Sequence, residues 1–259
     1  MISPMPCTLM ISQRFTDQRI WGDIPDRIAP LSEIFFFEQR EAGPGSPLPL
    51  DEIRQILPEG HRAFDVVVGA EDAAGPAAGL ALDGLANGLV LFQPTLDGMP
   101  EELEPFNFSG LEDRASMYVP LVAAVNEPDA AKWQSVVTDV VEQAIGVHLN
   151  PQDAALVRDV TASHAGELQR DLQRLAAAYA RGEEPAGPAP GEPWIDRIRE
   201  LRVPVSIVST QAGFRIAEVL AARAPHGEAV LARGEGGIPW LEDRDKTVAV
   251  LAAMIERGS

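Results

Sequence analysis

Short apolar runs recur along the chain, and segments with helical spacing of apolar residues separate them. The runs are four to six residues long, which is typical of strands that are buried on both faces of a sheet. They are TLMI (Thr8–Ile11), EIFFF (Glu33–Phe37), FDVVVG (Phe64–Gly69), GLVLF (Gly88–Phe92), VPVSIV (Val203–Val208) and EAVL (Glu228–Leu231). Because strands alternate with helices, the pattern predicts an α/β fold built on a mostly parallel, doubly wound sheet.

The middle third of the chain lacks this rhythm, since residues 111–182 contain no convincing strand. One helix is predicted through Trp133, and another begins at Asn150-Pro151, an N-cap residue followed by proline. A proline- and glycine-rich connector, 183–193, then returns the chain to the next strand. We therefore predict a core in two parts with a helical insertion between them: core 1–110, insertion 111–189, core 190–259.

Composition narrows the classes of partner. Hydrophobic residues make up 46% of the 259 residues, which is enough for a large buried core. The formal net charge of −18, from 39 acidic and 21 basic residues, repels phosphate backbones and anionic lipids. No apolar stretch approaches the roughly 20 residues that span a bilayer. We therefore expect a cytoplasmic protein that binds neither nucleic acid nor membrane, with a homodimer left open.

Residues that bind metals or form disulfides are sparse. The single cysteine, Cys7, rules out an internal disulfide framework. No cluster of histidine and cysteine is visible in the sequence, and scattered acids do not define a metal site. The loop Gly43–Ser46 lacks the lysine of a phosphate-binding P-loop. From the sequence we expect no metal and no cofactor.

In open parallel sheets, chemistry collects in the turns that follow the carboxyl ends of the strands. The turn after the first run reads SQRFTDQRIW, and the turn after the second reads EQREAGPGSP. GAEDAAGPAAGLAL follows the third run, QPTLDG the fourth, STQAGF the fifth and ARGEGGIPWLED the last. We therefore look for the candidate site residues in these six turns.

Taken in order, the turns resemble those of the α/β-hydrolase family, in the branch that carries a helical cap. Ser12-Gln13, with Trp21 further on, stands for the family's His-Gly turn. Glu38-Gln39-Arg40 and the glycines after it stand for its second turn, and the helical insertion falls where the family carries its lid. Two further turns correspond to the nucleophile elbow and to the segment of the catalytic histidine: Gly69-Ala70-Glu71-Asp72-Ala73, and Gly236-Gly237 before Pro239–Asp243.

The same resemblance shows what this chain has replaced. Gly237 stands at the position of the catalytic histidine, and a glycine cannot accept a proton. Glu71 stands at the position of the nucleophile, and the turn after the fifth run contains no carboxylate for the family's acid. Asp97 matches a second location that some members use for that acid. Hydrolysis by a Ser-His-Asp triad is therefore not expected.

Glu71 is the first candidate for chemistry because the elbow aims its third residue into the pocket. A carboxylate there would serve as general acid or base, whereas the alternative is a solvated acid at a helix N-terminus. Asp72 is expected to cap the helix or to assist Glu71, and Glu38 to pair with Arg40 or to join the site. The candidate catalytic residues are Glu71, Asp72, Glu38 and Asp97.

Substrate contacts are expected from the first turn and from the lid. Gln13 and Arg14 can donate hydrogen bonds to a substrate oxygen, and His164 is a candidate either for the pocket or for a structural contact. Trp133 lies on an amphipathic stripe, which favours a place in the core of the helices. The candidate binding residues are Ser12, Gln13, Arg14, Tyr118, Trp133, His164, Ser209 and Gly237.

The resemblance and its departures leave three functions open. The first is a non-hydrolytic enzyme of the cyclase, lyase or isomerase type, which acts on an apolar small molecule of specialised metabolism by acid/base chemistry from Glu71. The second is a catalytically inactive protein that binds a small molecule as a carrier, sensor or scaffold. The third is a hydrolase with Glu71 as a carboxylate nucleophile, for which the sequence identifies no base.

Overall fold

A computed structural model of the protein describes residues 5–39, 50–94, 119–145, 148–181 and 194–258. Six strands form one sheet in which every neighbouring pair is parallel. The strands are β1 (Cys7–Ser12), β2 (Glu33–Glu38), β3 (Val66–Ala70), β4 (Leu89–Phe92), β5 (Val205–Ser209) and β6 (Gly227–Leu231). The parallel, doubly wound sheet and all six of its predicted strands are confirmed.

Helices connect the strands, as the alternating pattern predicted. Around the sheet they are α1 (Ile24–Ile28), α2 (Leu50–Ile56), α3 (Ala74–Leu82), α7 (Trp194–Arg197), α8 (Phe214–Arg223), α9 (Pro239–Glu242) and α10 (Arg244–Gly258). Short 3-10 turns occupy Gln18–Trp21, Glu71–Ala73, Ile198–Glu200 and Gln211–Gly213. Between β4 and β5 lie α4 (Ala130–Ile145), α5 (Pro151–Ser163) and α6 (Ala165–Ala180). None of the helices in the described residues combines the length and the hydropathy needed to cross a bilayer.

Alternation along the strands divides the core between the two faces of the sheet. In β1, Leu9 and Ile11 pack into the layer of α2, α3, α7 and α8, whereas Met10 packs into the layer of α1, α5 and α10. Successive side chains of a strand point to opposite faces, so a strand that is apolar throughout must be covered on both. The continuous apolar runs of the sequence are therefore the direct consequence of a sheet between two helical layers.

The strand order is β2-β1-β3-β4-β5-β6, so the direction of winding reverses between β1 and β3. At such a switch point the connections leave on opposite sides of the sheet and a crevice opens at the carboxyl ends of the two strands. The turns that begin after Ser12 and after Ala70 border this crevice. The topology therefore places the first turn beside the elbow.

Helices α4 and α6 have a small core of their own. Trp133 is buried there among Leu121, Val137 and Ala165, and its indole N–H donates to the Ala165 carbonyl over 2.5 Å. The predicted start of α5 is confirmed, since the Asn150 side chain accepts hydrogen bonds from the backbone N–H groups of two residues in the first turn. Asp97, Tyr118, Arg40, Gly43–Ser46 and the connector 183–193 lie outside the described residues, and so do the boundaries of the predicted insertion.

Candidate active site

The elbow turn, Gly69–Ala73, carries Glu71 out of the end of β3 and into α3. Gly69 is required there for a steric reason, because an added Cβ would lie 2.5 Å from the Ala73 carbonyl oxygen and 2.7 Å from the Ala77 Cβ. Contact that close between a strand and the helix that follows it makes the turn sharp. The sequence therefore builds a tight strand-to-helix turn, with the half-buried Glu71 at its centre.

Glu71 has φ of +49°, which is in the left-handed region that non-glycine residues rarely adopt. Phe15, after β1, has φ of +59°, and Gln93, after β4, has φ of +43°. Among the described residues these are the non-glycine positions with positive φ, and all three follow strands at the carboxyl edge. Each such conformation costs of order 1–3 kcal/mol, and strain of this kind gathers at functional sites.

Asp72, the next residue of the elbow turn, is bonded to the first turn. Its carboxylate accepts a hydrogen bond from the backbone N–H of Arg14, with distances of 3.2 and 3.3 Å to the two oxygens. The N-cap positions that flank this turn are Ala70 and Ala73, which have no capping side chain. Asp72 thus connects β1 to β3, and it occupies a backbone amide of the turn that the resemblance assigns to an oxyanion hole.

The Arg14 side chain joins the sheet to helix α6. Its guanidinium lies 3.0 Å from Asp171, and both side chains are largely buried, with 14% and 9% exposure. Asp171 also forms an ion pair with Arg174, one turn further along α6, and Arg14 stacks on the Phe15 ring with 4.9 Å to the ring centre. Because both charges of the buried pair are screened little by solvent, the contact holds α6 over the end of β1.

A cavity of about 240 Å³ opens at this contact, between the ends of β1 and β2 and helix α6. Glu71 is not among the side chains that line it. The lining of this cavity is not the one expected for the apolar small molecule that the sequence predicted, because five of its seven side chains are charged. The lining residues are Arg14, Phe15, Gln39, Glu167, Arg170, Asp171 and Arg174. The volume is slightly below the roughly 300–1000 Å³ of common ligand pockets.

The remaining residues of the first turn and of β2 support this region. Gln39 donates from its side-chain N–H to the Ser12 carbonyl over 3.1 Å, and Glu38 pairs with Ser12 in the β1–β2 register. The carbonyl of Gln13 accepts from the Thr16 hydroxyl over 2.8 Å. The Ser12 hydroxyl is fully buried and has no hydrogen-bond partner within the described part of the chain. Ser12 and Gln13 therefore lie at the carboxyl end of β1, where the crevice begins, and their predicted contact with a substrate stays a prediction.

A carboxylate holds the turn after β6. Glu242, in α9, accepts from the backbone N–H of Gly236 over 2.9 Å and from that of Ile238 over 3.0 Å. A Cβ on Gly237 would meet no atom within 4 Å, so the histidine position of the resemblance faces open space. His148, which comes from the segment between α4 and α5, approaches this turn, since its Cβ lies 3.0 Å from where a Cβ of Gly236 would be.

Ser209 is held inside the protein by the end of β4. Its hydroxyl donates to the Gln93 side-chain oxygen over 2.6 Å, and the backbone N–H of Thr210 approaches the same oxygen at 3.3 Å. Gly213 makes room for this amide, because an added Cβ would lie 2.3 Å from the Gln93 nitrogen. Ser209 is only 1% exposed, so it braces the turn, and it was predicted as a substrate contact.

His164 lies at the end of α5 between two carboxylates. Its two ring nitrogens are 3.2 Å from Asp17 and 3.2 Å from Glu167. Asp17 also pairs with Arg19, whose hydrogen bond is the main reason that the pKa of Asp17 falls to about 2. His164 therefore bridges the loop after β1 to helix α6, at the border of the cavity that Glu167 lines. Trp133, predicted either for the core or for substrate contact, is in the helical core and does not line this cavity.

Sequence reasoning missed three residues that shape the site: Gln93, Asp171 and Glu242. Gln93 could have been predicted, because it follows the fourth apolar run as Ser12 and Glu71 follow the first and the third. Glu242 was noticed only as part of an acidic stretch after the family's histidine position. Asp171 carries no local signal, since it is one acidic residue on an amphipathic helix whose partner is 157 residues away.

No protein-family profile and no curated protein sequence matches the chain. Solved structures are similar along almost its whole length. MenH from S. aureus has a TM-score of 0.69 at 14% identity, and the match covers 99% of this chain and 96% of that one. The esterase RhEst1 from Rhodococcus sp. has a TM-score of 0.67 at 13% identity, with coverage of 97% and 90%.

A third similar structure is AqDC, which recognises and cleaves the ring of the Pseudomonas quinolone signal. Its TM-score is 0.57 at 15% identity, and the match covers 98% of this chain and 93% of that one. Sequence identities this low show a common fold only, and an activity has to be argued from the residues of the site. The parallel sheet, its strand order and these likenesses together show that the protein has the α/β-hydrolase fold.

Proposed function

We propose that the protein is an enzyme of the α/β-hydrolase fold that catalyses proton transfer on a small molecule without a covalent acyl intermediate. In this proposal Glu71 is the general acid/base. Its carboxylate removes a proton from the substrate, and the carboxylic acid so formed returns a proton to another atom of the same substrate or to its leaving group. The enzyme thus ends each cycle in its starting protonation state, as isomerisation, elimination or cyclisation requires.

The strained backbone of Glu71 is the observation that carries this proposal. A glycine would adopt φ of +49° without penalty, yet the chain places a carboxylate there, half-buried at the switch point of the sheet. Phe15 and Gln93, the other strained non-glycine positions, flank the same edge. Strain that persists at one edge of a fold is typical of residues held for ligand binding or catalysis.

Acyl transfer through a histidine-activated nucleophile receives no support from the site. Gly237 offers no base, and the Arg14 amide that would face an oxyanion is bonded to the Asp72 carboxylate. Two of the four histidines lie at the other end of the sheet, since His61 contacts the first residue of β1 and His226 directly precedes β6. Proton transfer needs neither an oxyanion hole nor a histidine, so it fits the groups that remain.

The cavity suggests the kind of substrate. Three arginines and two carboxylates line it, together with the Phe15 ring. Arg14 and Arg174 already pair with Asp171, so we assign the binding of a carboxylate or another planar anion to the guanidinium of Arg170, and the arginine stems and the Phe15 ring offer apolar surface. We therefore propose a substrate with an apolar body and one anionic or strongly hydrogen-bonding end, which refines the apolar small molecule expected from the sequence. The ring cleavage named for AqDC is an example of chemistry beyond ester hydrolysis on this fold.

A hydrolase with Glu71 as nucleophile is the second candidate, and the position of His148 favours it. The sequence offered no base for releasing an ester from Glu71, but the fold brings His148 next to the turn where the family's histidine would be. In this reaction the Glu71 carboxylate would displace a leaving group from a substrate carbon and form an ester with that carbon. Water that gives a proton to His148 would then attack the ester carbonyl, which restores the Glu71 carboxylate and releases the substrate as an alcohol. The two candidates differ in whether oxygen from water enters the Glu71 carboxylate, so oxygen-labelled water can tell them apart.

The first experiment compares wild-type protein with Glu71→Gln, which keeps the size of the side chain and removes its acid/base function. Both are incubated with small-molecule extracts of the native host and followed by mass spectrometry. Glu59→Gln is the matched control, because Glu59 is an exposed glutamate away from the strand ends. We expect wild type and Glu59→Gln to convert the same compound and Glu71→Gln to convert it at least about 100-fold more slowly, in the range typical of a lost acid/base group.

Isotopes then assign the reaction. In heavy water, proton transfer places deuterium on the product, whereas a Glu71 ester opened in oxygen-labelled water leaves labelled oxygen in the peptide that contains Glu71. Label in that peptide, together with loss of turnover in His148→Ala, would replace the proton-transfer proposal by the hydrolase. Equal conversion by wild type and Glu71→Gln would refute both, and retention of one unchanged compound by both proteins would indicate a binding protein.

A further inference from the structure

A second group of reactive side chains lies at the amino ends of the strands, across the sheet from Glu71. Cys7 is the first residue of β1, Asp65 directly precedes β3, and His61 belongs to the turn before it. One ligand atom from each of the three residues lies within 4.8 Å of those from the other two. In the sequence these residues did not form a cluster, because 54 positions separate the cysteine from the histidine.

The backbone ladder fixes this arrangement. Thr8 pairs with Val66 in the β1–β3 register, so the residues just before them, Cys7 and Asp65, are neighbours. The backbone N–H of Asp65 donates to the Cys7 carbonyl over 2.9 Å, and the backbone N–H of Cys7 donates to the Asp65 carboxylate over 2.8 Å. Two of the three side chains are thus positioned by the sheet itself, independently of any ligand.

The distances are close to those of a metal site. The Cys7 sulfur lies 3.3 Å from the Nδ1 of His61, and that nitrogen lies 3.9 Å from the Asp65 Oδ2. Around a tetrahedral zinc ion, bond lengths of about 2.3 Å to sulfur and about 2.0–2.1 Å to nitrogen and oxygen separate such ligand atoms by roughly 3.3–3.5 Å. The third separation, between the Cys7 sulfur and the Asp65 carboxylate, is within 4.8 Å, so side-chain rotations that move the ligand atoms by about 1 Å would complete the geometry.

We propose that Cys7, His61 and Asp65 form a binding site for one zinc ion, with the fourth position left to water. A sulfur, an imidazole nitrogen and a carboxylate oxygen together suit Zn²⁺, whereas Mg²⁺ and Ca²⁺ prefer oxygen ligands alone. The site is enclosed but reachable, because Cys7 is fully buried and the side chains of His61 and Asp65 are each 12% exposed. It lies at the opposite edge of the sheet from the site of proton transfer.

A nucleophilic role for the same cysteine is not supported. Burial raises the pKa of the Cys7 thiol to about 11, so without a metal the thiol is neutral and unreactive at physiological pH. The ion would instead join the start of β1 to the segment that enters β3. It would stabilise the native state by binding the folded chain alone.

Zinc content of the full-length protein tests the site. Protein freed of metal with a chelator is mixed with zinc chloride, separated from free metal and analysed for zinc, and His61→Ala is treated identically. His226→Ala is the control, because His226 is an exposed histidine on the same edge. We expect one equivalent of zinc per chain in wild type and in His226→Ala, and a loss of at least about tenfold in affinity in His61→Ala.

Cobalt chloride and thermal melting give two further readings. Cobalt bound by the Cys7 thiolate shows a sulfur-to-metal absorption band in the near ultraviolet, which Cys7→Ser must abolish. At free zinc about 100 times above the dissociation constant, the melting temperature of wild type should rise by roughly 5–10 °C. His61→Ala, checked for native fold by circular dichroism, should show no such rise. Zinc binding that is equal in wild type and folded His61→Ala, or below about a fifth of an equivalent in wild type, would overturn the proposal.

Discussion

Replacing Gly69 by alanine should destabilise the protein and displace the turn that carries Glu71. The added methyl group would lie 2.5 Å from the Ala73 carbonyl oxygen and 2.7 Å from the Ala77 Cβ. Carbon atoms in favourable contact are about 3.5–4.0 Å apart, so the overlap with Ala77 is about 1 Å. Two of the three nearest atoms are backbone, and they can withdraw only if α3 moves away from β3.

Forced overpacking of this kind costs about 1–3 kcal/mol, and the rigid partners place Gly69→Ala at the upper end, about 2–3 kcal/mol. For a chain of this length that corresponds to a fall in melting temperature of roughly 4–12 °C. Gly79→Ala is the matched control, because Gly79 lies on α3, the helix that Gly69 contacts, and a Cβ there would meet no atom within 4 Å. Alanine is favoured over glycine inside a helix, so this variant should be about 0.5–1 kcal/mol more stable than wild type.

Urea denaturation of the three proteins, followed by circular dichroism, measures both changes from the unfolding midpoints. The slope of unfolding free energy against urea should be the same in all three, because the exposed surface on unfolding is unchanged. If Gly69→Ala were as stable as wild type, α3 would not be in close contact with β3, and the account of the elbow turn would be wrong. If Gly79→Ala were destabilised to the same degree, the loss would reflect the helix as a whole.

Three further outcomes follow from particular contacts. Trp133→Phe should lower the free energy of unfolding by about 1–3 kcal/mol in chemical denaturation, because it leaves the buried Ala165 carbonyl without its donor. An unchanged denaturation midpoint would exclude that hydrogen bond. Gly237→His should change the melting temperature by less than about 3 °C, since the position faces open space, and a larger fall would show that the turn is closed. The hydrogen bond from Arg19 is the main reason that the pKa of Asp17 is lowered from 3.8 to about 2. The ionised form of Asp17 therefore stabilises the fold above pH 3.8, and this stabilisation is lost as the pH falls towards 2. Wild type should therefore lose about 2 kcal/mol relative to Asp17→Asn over that range in urea titrations, and parallel pH curves for the two proteins would contradict the assignment.

Side-chain hydrogen bonds hold the turns at the carboxyl edge of the sheet. Glu242 supplies two hydrogen bonds to the loop of Gly236, and Gln93 supplies its side-chain oxygen to Ser209. These contacts keep the strand ends ordered although no histidine follows β6. The turns after β4, β5 and β6 are therefore held in defined positions.

The sequence alone predicted the parallel α/β sheet, the places of its six strands, the N-cap of α5 and the buried position of Trp133. These features depend on local information, since the spacing of apolar residues and the identity of a capping side chain are read within one element. Glu71 and Gly237 were singled out from the sequence because their turns resemble the elbow and the histidine segment of the α/β-hydrolase family, and their roles in a site stay predictions. Composition could not show that the cavity would be lined by charged side chains, since most charged residues of a protein lie on its surface.

Only the tertiary structure decided which distant residues meet. Arg14 pairs with Asp171 across 157 positions, and Cys7 approaches His61 across 54. Neither pair can be predicted from the spacing of residues along the chain. The first depends on how α6 packs over the strand ends, and the second on the order and register of the strands. The positive φ of Glu71 is likewise imposed from outside, by the close contact of α3 with β3 at Gly69, and a side chain with no intrinsic preference for that conformation is held there by its surroundings.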